Sequence, residues 1–83
     1  MILIQQIAAD LGVTGPSGGS WIQAIAEQAG ATGSINGSWE QAWADTLGVT
    51  ASVNGSWIEA IAISYGATGL TGGSWLATIE TLV

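Results

Sequence analysis

Six carboxylates are the only charged side chains in this sequence of 83 residues, so they are the first candidates for chemistry. A pair of carboxylates can cleave a glycosidic bond when one acts as the acid and the other as the base or nucleophile. Glu27 and Asp45 are the only two acids that stand 18 residues apart. The other four acids share no such spacing, and we therefore expect a charged, solvated surface rather than a catalytic pair.

The residue types that are missing exclude most other chemistry. The chain has no His, Cys, Lys or Arg, so it lacks an imidazole base, a thiolate, the usual zinc ligands and a partner that could activate a serine. Its formal net charge of −6 repels nucleic acid. No apolar run approaches the roughly 20 residues that a membrane helix needs. We therefore expect no enzyme activity, no cofactor, no metal, and neither nucleic acid nor membrane as a partner.

Tryptophans at a constant spacing of 18 residues reveal an internal repeat. Each of the four follows a Gly-Ser pair, and they are Trp21, Trp39, Trp57 and Trp75. The spacing predicts a single repeat domain over residues 1–83, with units at about 1–18 (degenerate), 19–36, 37–54, 55–72 and 73–83 (truncated). In such arrays no unit buries its apolar face alone, so the units must pack on one another.

Each unit predicts one short helix followed by an extended return segment. The predicted helix N-caps are the serines before the tryptophans, Ser20, Ser38, Ser56 and Ser74. In Ser38-Trp39-Glu40-Gln41 we expect a capping box, in which the Gln41 side chain reaches back to the Ser38 amide. The predicted C-caps are the glycines Gly12, Gly30, Gly48 and Gly66.

The predicted fold class is all-α, a solenoid-like array of about five helix-plus-return units with little or no sheet. Asn-Gly at residues 36–37 and 54–55 predicts a tight turn before the next helix. The sequence leaves open whether the helices are parallel or alternate in direction. It also leaves open whether the array is straight or closed.

The tryptophan column is the most distinctive candidate site. We interpret Trp21, Trp39, Trp57 and Trp75 mainly as packing residues, with a surface for glycan or protein contacts as the alternative. At equivalent positions of the repeat, Trp43 replaces an isoleucine and Tyr65 replaces a leucine or alanine. We interpret Trp43 and Tyr65 as gap filling or as a local contact surface.

The apolar ends of the array predict a covering partner. Residues 1–4 and 81–83 are too apolar to serve as polar capping repeats. We expect another chain to cover at least one end or flank, and oligomerisation is a common device of small scaffolds without disulfides or metals.

The repeated phrase resembles a family of phage proteins. Residues 36–44 with 48–50, and 54–62 with 66–68, are similar to the 18-residue Gly-Ser-Trp repeat proteins of tailed bacteriophages of the marine and cyanobacterial type. The first unit departs from this pattern, since it lacks both the tryptophan and the serine. The resemblance implies a non-enzymatic structural component of the virion, such as a decoration, fibre or tail-associated subunit, that assembles with copies of itself or with a larger virion protein. It transfers no functional residues.

Overall fold

The computed structural model describes residues 3–83, and this part of the chain folds into five short helices. They are α1 (Leu3–Asp10), α2 (Trp21–Ala29), α3 (Trp39–Thr46), α4 (Trp57–Ser64) and α5 (Trp75–Leu82). No strand lies between residues 3 and 83. The prediction of an all-helical fold of short helices is confirmed. Met1 and Ile2, which belong to the degenerate first unit and to the apolar end expected of it, lie outside the described residues.

Serines begin four of the five helices. In each case the serine Oγ accepts a hydrogen bond from the backbone N–H three residues later, at distances of 3.0–3.2 Å. The N-cap residues are Ser20, Ser38, Ser56 and Ser74. Each side chain thereby satisfies one of the helix N-terminal amides that has no partner within the helix.

The reciprocal bond of the expected capping box is not formed, and this prediction was wrong. The Ser38 amide donates to the Ile35 carbonyl at 2.8 Å, so it is already occupied by the turn that precedes the helix. Gln41 instead accepts a hydrogen bond from the Asn36 side chain, with 3.5 Å between Nδ2 and Oε1. The next unit repeats this arrangement, since Asn54 Nδ2 donates to Glu59 Oε2 at 3.1 Å.

A tight turn precedes each N-cap serine. Asn36 and Gly37 have φ of 52° and 75°, and the paired positive values are those of a type I′ turn. The same signs recur at Gly18-Gly19, Asn54-Gly55 and Gly72-Gly73. Only one pair of residues bridges across each turn, such as Ile35 with Ser38, so no strand develops.

Replacing Gly37 with alanine should lower the free energy of unfolding by about 1–2 kcal/mol, because a Cβ disfavours the left-handed conformation. Gly33 in the same return segment supplies the matched control, since its φ is not in that region and a Cβ there would meet no atom within 4 Å. Gly33→Ala should be neutral or stabilising by up to about 1 kcal/mol through the unfolded chain. Urea unfolding followed by circular dichroism separates the two variants, and equal effects would contradict the turn geometry.

A glycine in the left-handed conformation follows the helix in four of the five units. Gly30 is the C-cap of α2 as predicted, whereas the C-caps of α3 and α4 are Leu47 and Tyr65, and the predicted Gly48 and Gly66 each lie one residue beyond them. The φ values of Gly12, Gly30, Gly48 and Gly66 are 91°, 115°, 86° and 107°. At the end of α2, Gly30 donates to the Glu27 carbonyl at 3.1 Å and Ala31 donates to the Ala26 carbonyl at 2.9 Å. This pair of bonds is the Schellman motif, and it reverses the chain towards the return segment.

The five helices close into a ring. Each helix packs on its neighbours along the chain, α1 packs on α5, and no other pair of helices within residues 3–83 is in contact. The backbone is a disc with extents of 30 × 29 × 16 Å. Helices α1 and α5 therefore cover each other. The expectation that another chain covers at least one end or flank stays a prediction.

Helices α1 to α4 point the same way. The residues at their C-terminal ends, Leu11, Ala29, Leu47 and Tyr65, all line one cavity. Helices of alternating direction would bring N-terminal and C-terminal ends together at that place. The return segments must therefore carry the chain back across the disc after each helix.

One side chain from each helix fills the centre of the ring. These residues are fully buried and occupy equivalent positions of the five units: Ile7, Ile25, Trp43, Ile61 and Ile79. We call this set the axial column. The residue after the axial one is a fully buried alanine in four units, Ala8, Ala26, Ala44 and Ala62. Small side chains at these positions allow neighbouring helices to approach closely.

Candidate functional site

The tryptophans of the 18-residue column begin the helices and pack against the core. Trp21, Trp39, Trp57 and Trp75 are each half-buried, whereas Trp43 of the axial column is fully buried. The column thus contributes to packing and still leaves part of each ring accessible. Trp21 and Trp57 also line grooves.

The groove at Trp57 combines an aromatic ring with polar side chains. It has a volume of about 240 Å³, and Gln41, Asp45 and Thr50 line it together with Trp57. The equivalent groove at Trp21, of about 270 Å³, has Gln5 and Thr14 but an alanine in place of the acid. Only the Trp57 groove of these two therefore offers a carboxylate beside the ring.

The candidate acid pair does not form one site. Glu27 lines a cavity of about 260 Å³ together with Thr14 and Ser17. Asp45 lines the equivalent cavity of the next unit, of about 330 Å³, and that cavity holds no second carboxylate. Hydrogen bonds from the side chains of Ser17 and, secondly, Gln23 lower the pKa of Glu27. A general acid needs a raised pKa, so this environment opposes the catalytic role.

Metal-binding chemistry finds no support in the side-chain arrangement. Residues 3–83 contain no group of three or more His, Cys, Asp or Glu side chains that could hold a metal ion. No helix in this described part of the chain is long and apolar enough to span a bilayer.

Trp43 and Tyr65, separated by 22 residues in the sequence, meet beside a cavity on the ring axis. Their ring centroids are 6.4 Å apart and the rings are tilted by 59°. The cavity has a volume of about 280 Å³, and it is completed by Leu11, Ile25, Gln28, Ala29 and Leu47. The sequence analysis singled out both aromatic residues but did not predict that their rings lie next to each other. The sequence did contain a signal for this contact, because both residues depart from the repeat, and both repeat positions lie towards the ring axis.

The Trp43 side chain leaves one polar atom unsatisfied. Its indole N–H is buried, and no acceptor for it exists among residues 3–83. Most buried donors in folded proteins have a partner, so such an atom calls for an explanation. We refer to the cavity and its seven lining residues as the axial cavity.

A second unsatisfied atom marks the contact between α5 and α1, which we call the seam. Glu80 follows the axial Ile79 at the position where four other units have a buried alanine. Its Oε1 is buried and has no hydrogen-bond partner within the described chain. Burial raises the pKa of Glu80, and the neighbouring Asp10 carboxyl raises it further through a hydrogen bond and its charge.

Glu80→Gln should raise the melting temperature at pH 7 and flatten its pH dependence. A carboxyl whose pKa is raised by folding binds its proton more tightly in the folded state. Its stabilising contribution is complete below the unfolded pKa, near 4.5, and is lost as pH rises through the folded pKa. Thermal unfolding between about pH 4 and about pH 7 measures this loss. Glu40→Gln, with the same charge change in the first turn of α3, is the control. An equal rise for both variants would contradict a specific effect at the seam.

Comparison of the chain with protein-family profiles, with curated proteins and with solved structures finds no match. The resemblance to phage repeat proteins, carried by the Gly-Ser-Trp phrase, therefore stays a prediction.

Proposed function

We propose that this protein is a non-enzymatic structural component of a phage particle, a decoration, fibre or tail-associated subunit of the virion. Its 18-residue units form one solenoid-like turn closed on itself, and apolar surface on two of these units contacts further copies or a larger virion protein. The observation that carries the proposal is the distribution of exposed large hydrophobic residues. Together with the absence of His, Cys, Lys and Arg from the sequence, it favours an interaction role over catalysis.

Among residues 3–83, the exposed large apolar residues belong to the fourth and fifth units. Ile63, Leu70 and Leu82 are 45%, 55% and 40% exposed. At the positions equivalent to Ile63, two other units have the acids Glu27 and Asp45. At the position of Leu70, two other units have Ser34 and Ser52. At the position of Leu82, three other units have Gln28, Thr46 and Ser64. We call these three residues the apolar patch, because they are exposed on two successive units where other units have polar residues, and exposed large apolar residues favour an interaction role.

Light scattering of the full chain at neutral pH tests the assembly part of the proposal. We expect a discrete oligomer or a filament. A variant that combines Ile63→Glu, Leu70→Ser and Leu82→Gln should be monomeric, and it should fold because each new residue already occupies that position in another unit. A control with Glu27→Gln and Asp45→Asn leaves the patch intact and should assemble as the wild type does. A wild-type monomer would contradict self-assembly through the patch.

Detection of the chain in purified particles from its native source tests the virion part. A chain without Lys or Arg offers trypsin no cleavage site, so a glutamate-specific protease must generate the peptides for mass spectrometry. We expect the chain to remain with the particles through a density gradient. Its presence only in the unassembled fraction would oppose a structural role.

A glycan-binding module is the second candidate function, and the Trp57 groove favours it. An aromatic face beside the Asp45 carboxylate and the Gln41 amide can stack on a sugar ring and bind its hydroxyl groups. Titration with soluble oligosaccharides, followed by tryptophan fluorescence, should then give saturable binding that Trp57→Phe weakens. Trp39→Phe, in the same column, is the matched control. Absence of saturable binding removes this candidate.

A further inference from the structure

We propose that the Trp57 groove binds a lysine side chain of a partner protein, with the Asp45 carboxylate as the counter-ion of its ammonium group. The partner must be a different protein, because no side chain of this sequence, and so none of a second copy, is Lys or Arg. The glycan candidate concerns the same groove, but the present proposal does not rest on it, since charge rather than hydroxyl groups carries the argument. It is also independent of assembly through the apolar patch.

The Trp21 and Trp57 grooves have equivalent linings that differ in one respect. Five residues of the first groove stand 36 positions, or two repeat units, before their counterparts in the second: Gln5 and Gln41, Ala9 and Asp45, Val13 and Val49, Thr14 and Thr50, and Trp21 and Trp57. Ala9 and Asp45 are the only pair of different residue types. Ile35 completes the Trp57 groove and adds apolar surface. The carboxylate is therefore the polar group that one groove has and the other lacks.

The Asp45 carboxylate is accessible and has no partner in the described chain. Glu27 and Glu59 accept hydrogen bonds from Gln23 at 3.2 Å and from Asn54 at 3.1 Å. Asp45 makes no such bond within residues 3–83. It is an exposed residue that lines both the Trp57 groove and the neighbouring cavity of about 330 Å³. A cation that enters the groove can therefore reach the carboxylate.

The position of Asp45 in its helix favours a cation further. Asp45 lies in the last turn of α3, where the backbone carbonyl groups carry a partial negative charge. A carboxylate at this end of a helix is unfavourable, and the last turn of α3 contains no basic residue to offset it. A bound cation interacts favourably with both the side chain and the helix end. The formal net charge of −6 also attracts a basic partner.

The rest of the lining matches the two parts of a lysine side chain. An ammonium group has three N–H donors, and Asp45, Thr50 and Gln41 each have an oxygen that can accept. The Gln41 oxygen that accepts from Asn36 keeps a second lone pair. The Trp57 ring and the aliphatic residues of the lining provide apolar surface, along which lysine packs its methylene chain. The groove has about 240 Å³, and a cavity of about 150 Å³ in another protein accommodates benzene.

Butylammonium and 1-butanol form a matched pair of probes. They have nearly the same shape, and only butylammonium is charged at neutral pH. We expect butylammonium to bind about three- to tenfold more tightly at low ionic strength, which is the range for an exposed ion pair with a charge-assisted hydrogen bond. Salt should reduce this preference, because the pair is exposed to solvent. Equal affinity for the two probes at low ionic strength would overturn the proposal.

The indole signals in ¹H–¹⁵N spectra of the full chain locate the binding. Butylammonium should shift the indole resonance of Trp57 and leave that of Trp21 unmoved, since the Trp21 groove has no carboxylate. If the wild type forms filaments, the variant with the three patch substitutions gives the spectra, because its groove is unchanged. A shift at Trp21 without one at Trp57 would contradict the assignment.

Three variants isolate the carboxylate. Asp45→Asn should abolish the preference for butylammonium and leave 1-butanol binding unchanged. Glu40→Gln removes the same charge from α3 at a residue outside the groove, so it should keep the preference. Ala9→Asp introduces the carboxylate at an exposed position of the equivalent groove and should transfer the preference to Trp21. Retention of the preference in Asp45→Asn, or no gain in Ala9→Asp, would refute the proposal.

Two further probes test lysine as the source of the ammonium group. Nα-acetyl-lysine methylamide should bind more tightly than glucosamine, because its methylene chain packs on the apolar wall whereas a sugar presents hydroxyl groups there. The reverse order would overturn the assignment to lysine in favour of an amino sugar. Binding of neutral sugars without binding of butylammonium would overturn the proposal and leave the glycan candidate standing.

Discussion

Trp43→Ala is expected to lower the free energy of unfolding by about 3–5 kcal/mol. Trp43 is the largest fully buried side chain and lies in the axial column, where all five helices contribute to one core. Alanine would leave a cavity that the ring can close only by moving several helices together. At about 0.05–0.15 kcal/mol per residue, a chain of this length has only roughly 4–12 kcal/mol in total. The variant should therefore lose about a quarter or more of its stability, and its melting temperature should fall by roughly 12–40 °C.

Trp43→Ile is the control for this substitution. Isoleucine occupies the same position in the other four units, so the backbone accepts it, and the change also removes the unsatisfied indole N–H. We expect a clearly smaller loss than for alanine. Urea unfolding followed by far-UV circular dichroism gives both values. A loss below about 1 kcal/mol for Trp43→Ala would mean that the axis is not the core of the fold.

Alanine substitutions in the terminal helices should be as damaging as one in an internal helix. Ile7→Ala in α1, Ile79→Ala in α5 and Ile61→Ala in α4 should each cost about 2–5 kcal/mol. All three isoleucines are fully buried, and α1 and α5 pack on each other as internal neighbours do. In an open array the end units contact one neighbour only and unfold more readily.

Native-state hydrogen exchange distinguishes the closed ring from an open array. In a closed ring, the amides of α1 and α5 should exchange through the same opening reaction as those of α3. Early exchange confined to α1 or α5, with a smaller effect of Ile7→Ala than of Ile61→Ala, would contradict closure.

The local structure of each unit was predictable because it depends on residues close together in the sequence. Ser38 caps the helix that follows it, and Gly30 ends α2 in the left-handed conformation that favours glycine. Asn36-Gly37 forms the expected turn. The capping-box bond from Gln41 failed for an equally local reason, since the turn had already used the Ser38 amide.

Closure of the ring was not predictable, because it depends on the angle between successive units. A small change of that angle, repeated four times, decides whether α5 meets α1 or passes it. The alanine residues between the helices, such as Ala26 and Ala44, set the separation. Their effect on the angle appears only when the whole array is packed. The sequence therefore predicted apolar ends but did not reveal that α1 and α5 cover each other.

The geometry of the candidate sites was not predictable for the same reason, because it depends on how the units are arranged around the ring. Glu27 and Asp45 share a repeat position, which in this ring places them in separate cavities. Trp43 and Tyr65 do not share a position, yet one turn of helix and one step around the ring bring them together. Glu80 became notable only once the seam placed it beside Asp10. Its presence at an alanine position was the sequence signal that could have identified it.

The common direction of α1–α4 gives the disc an electrical polarity. Each helix carries about half a positive charge at its N-terminus and half a negative charge at its C-terminus. Asp10, Glu27 and Asp45 lie near the C-terminal ends of α1, α2 and α3, so they add to the negative face. Two discs that meet through unlike faces leave one free face at each end, and growth continues into a rod. Two that meet through like faces form a closed dimer, so the size of an oligomer would report which faces are in contact.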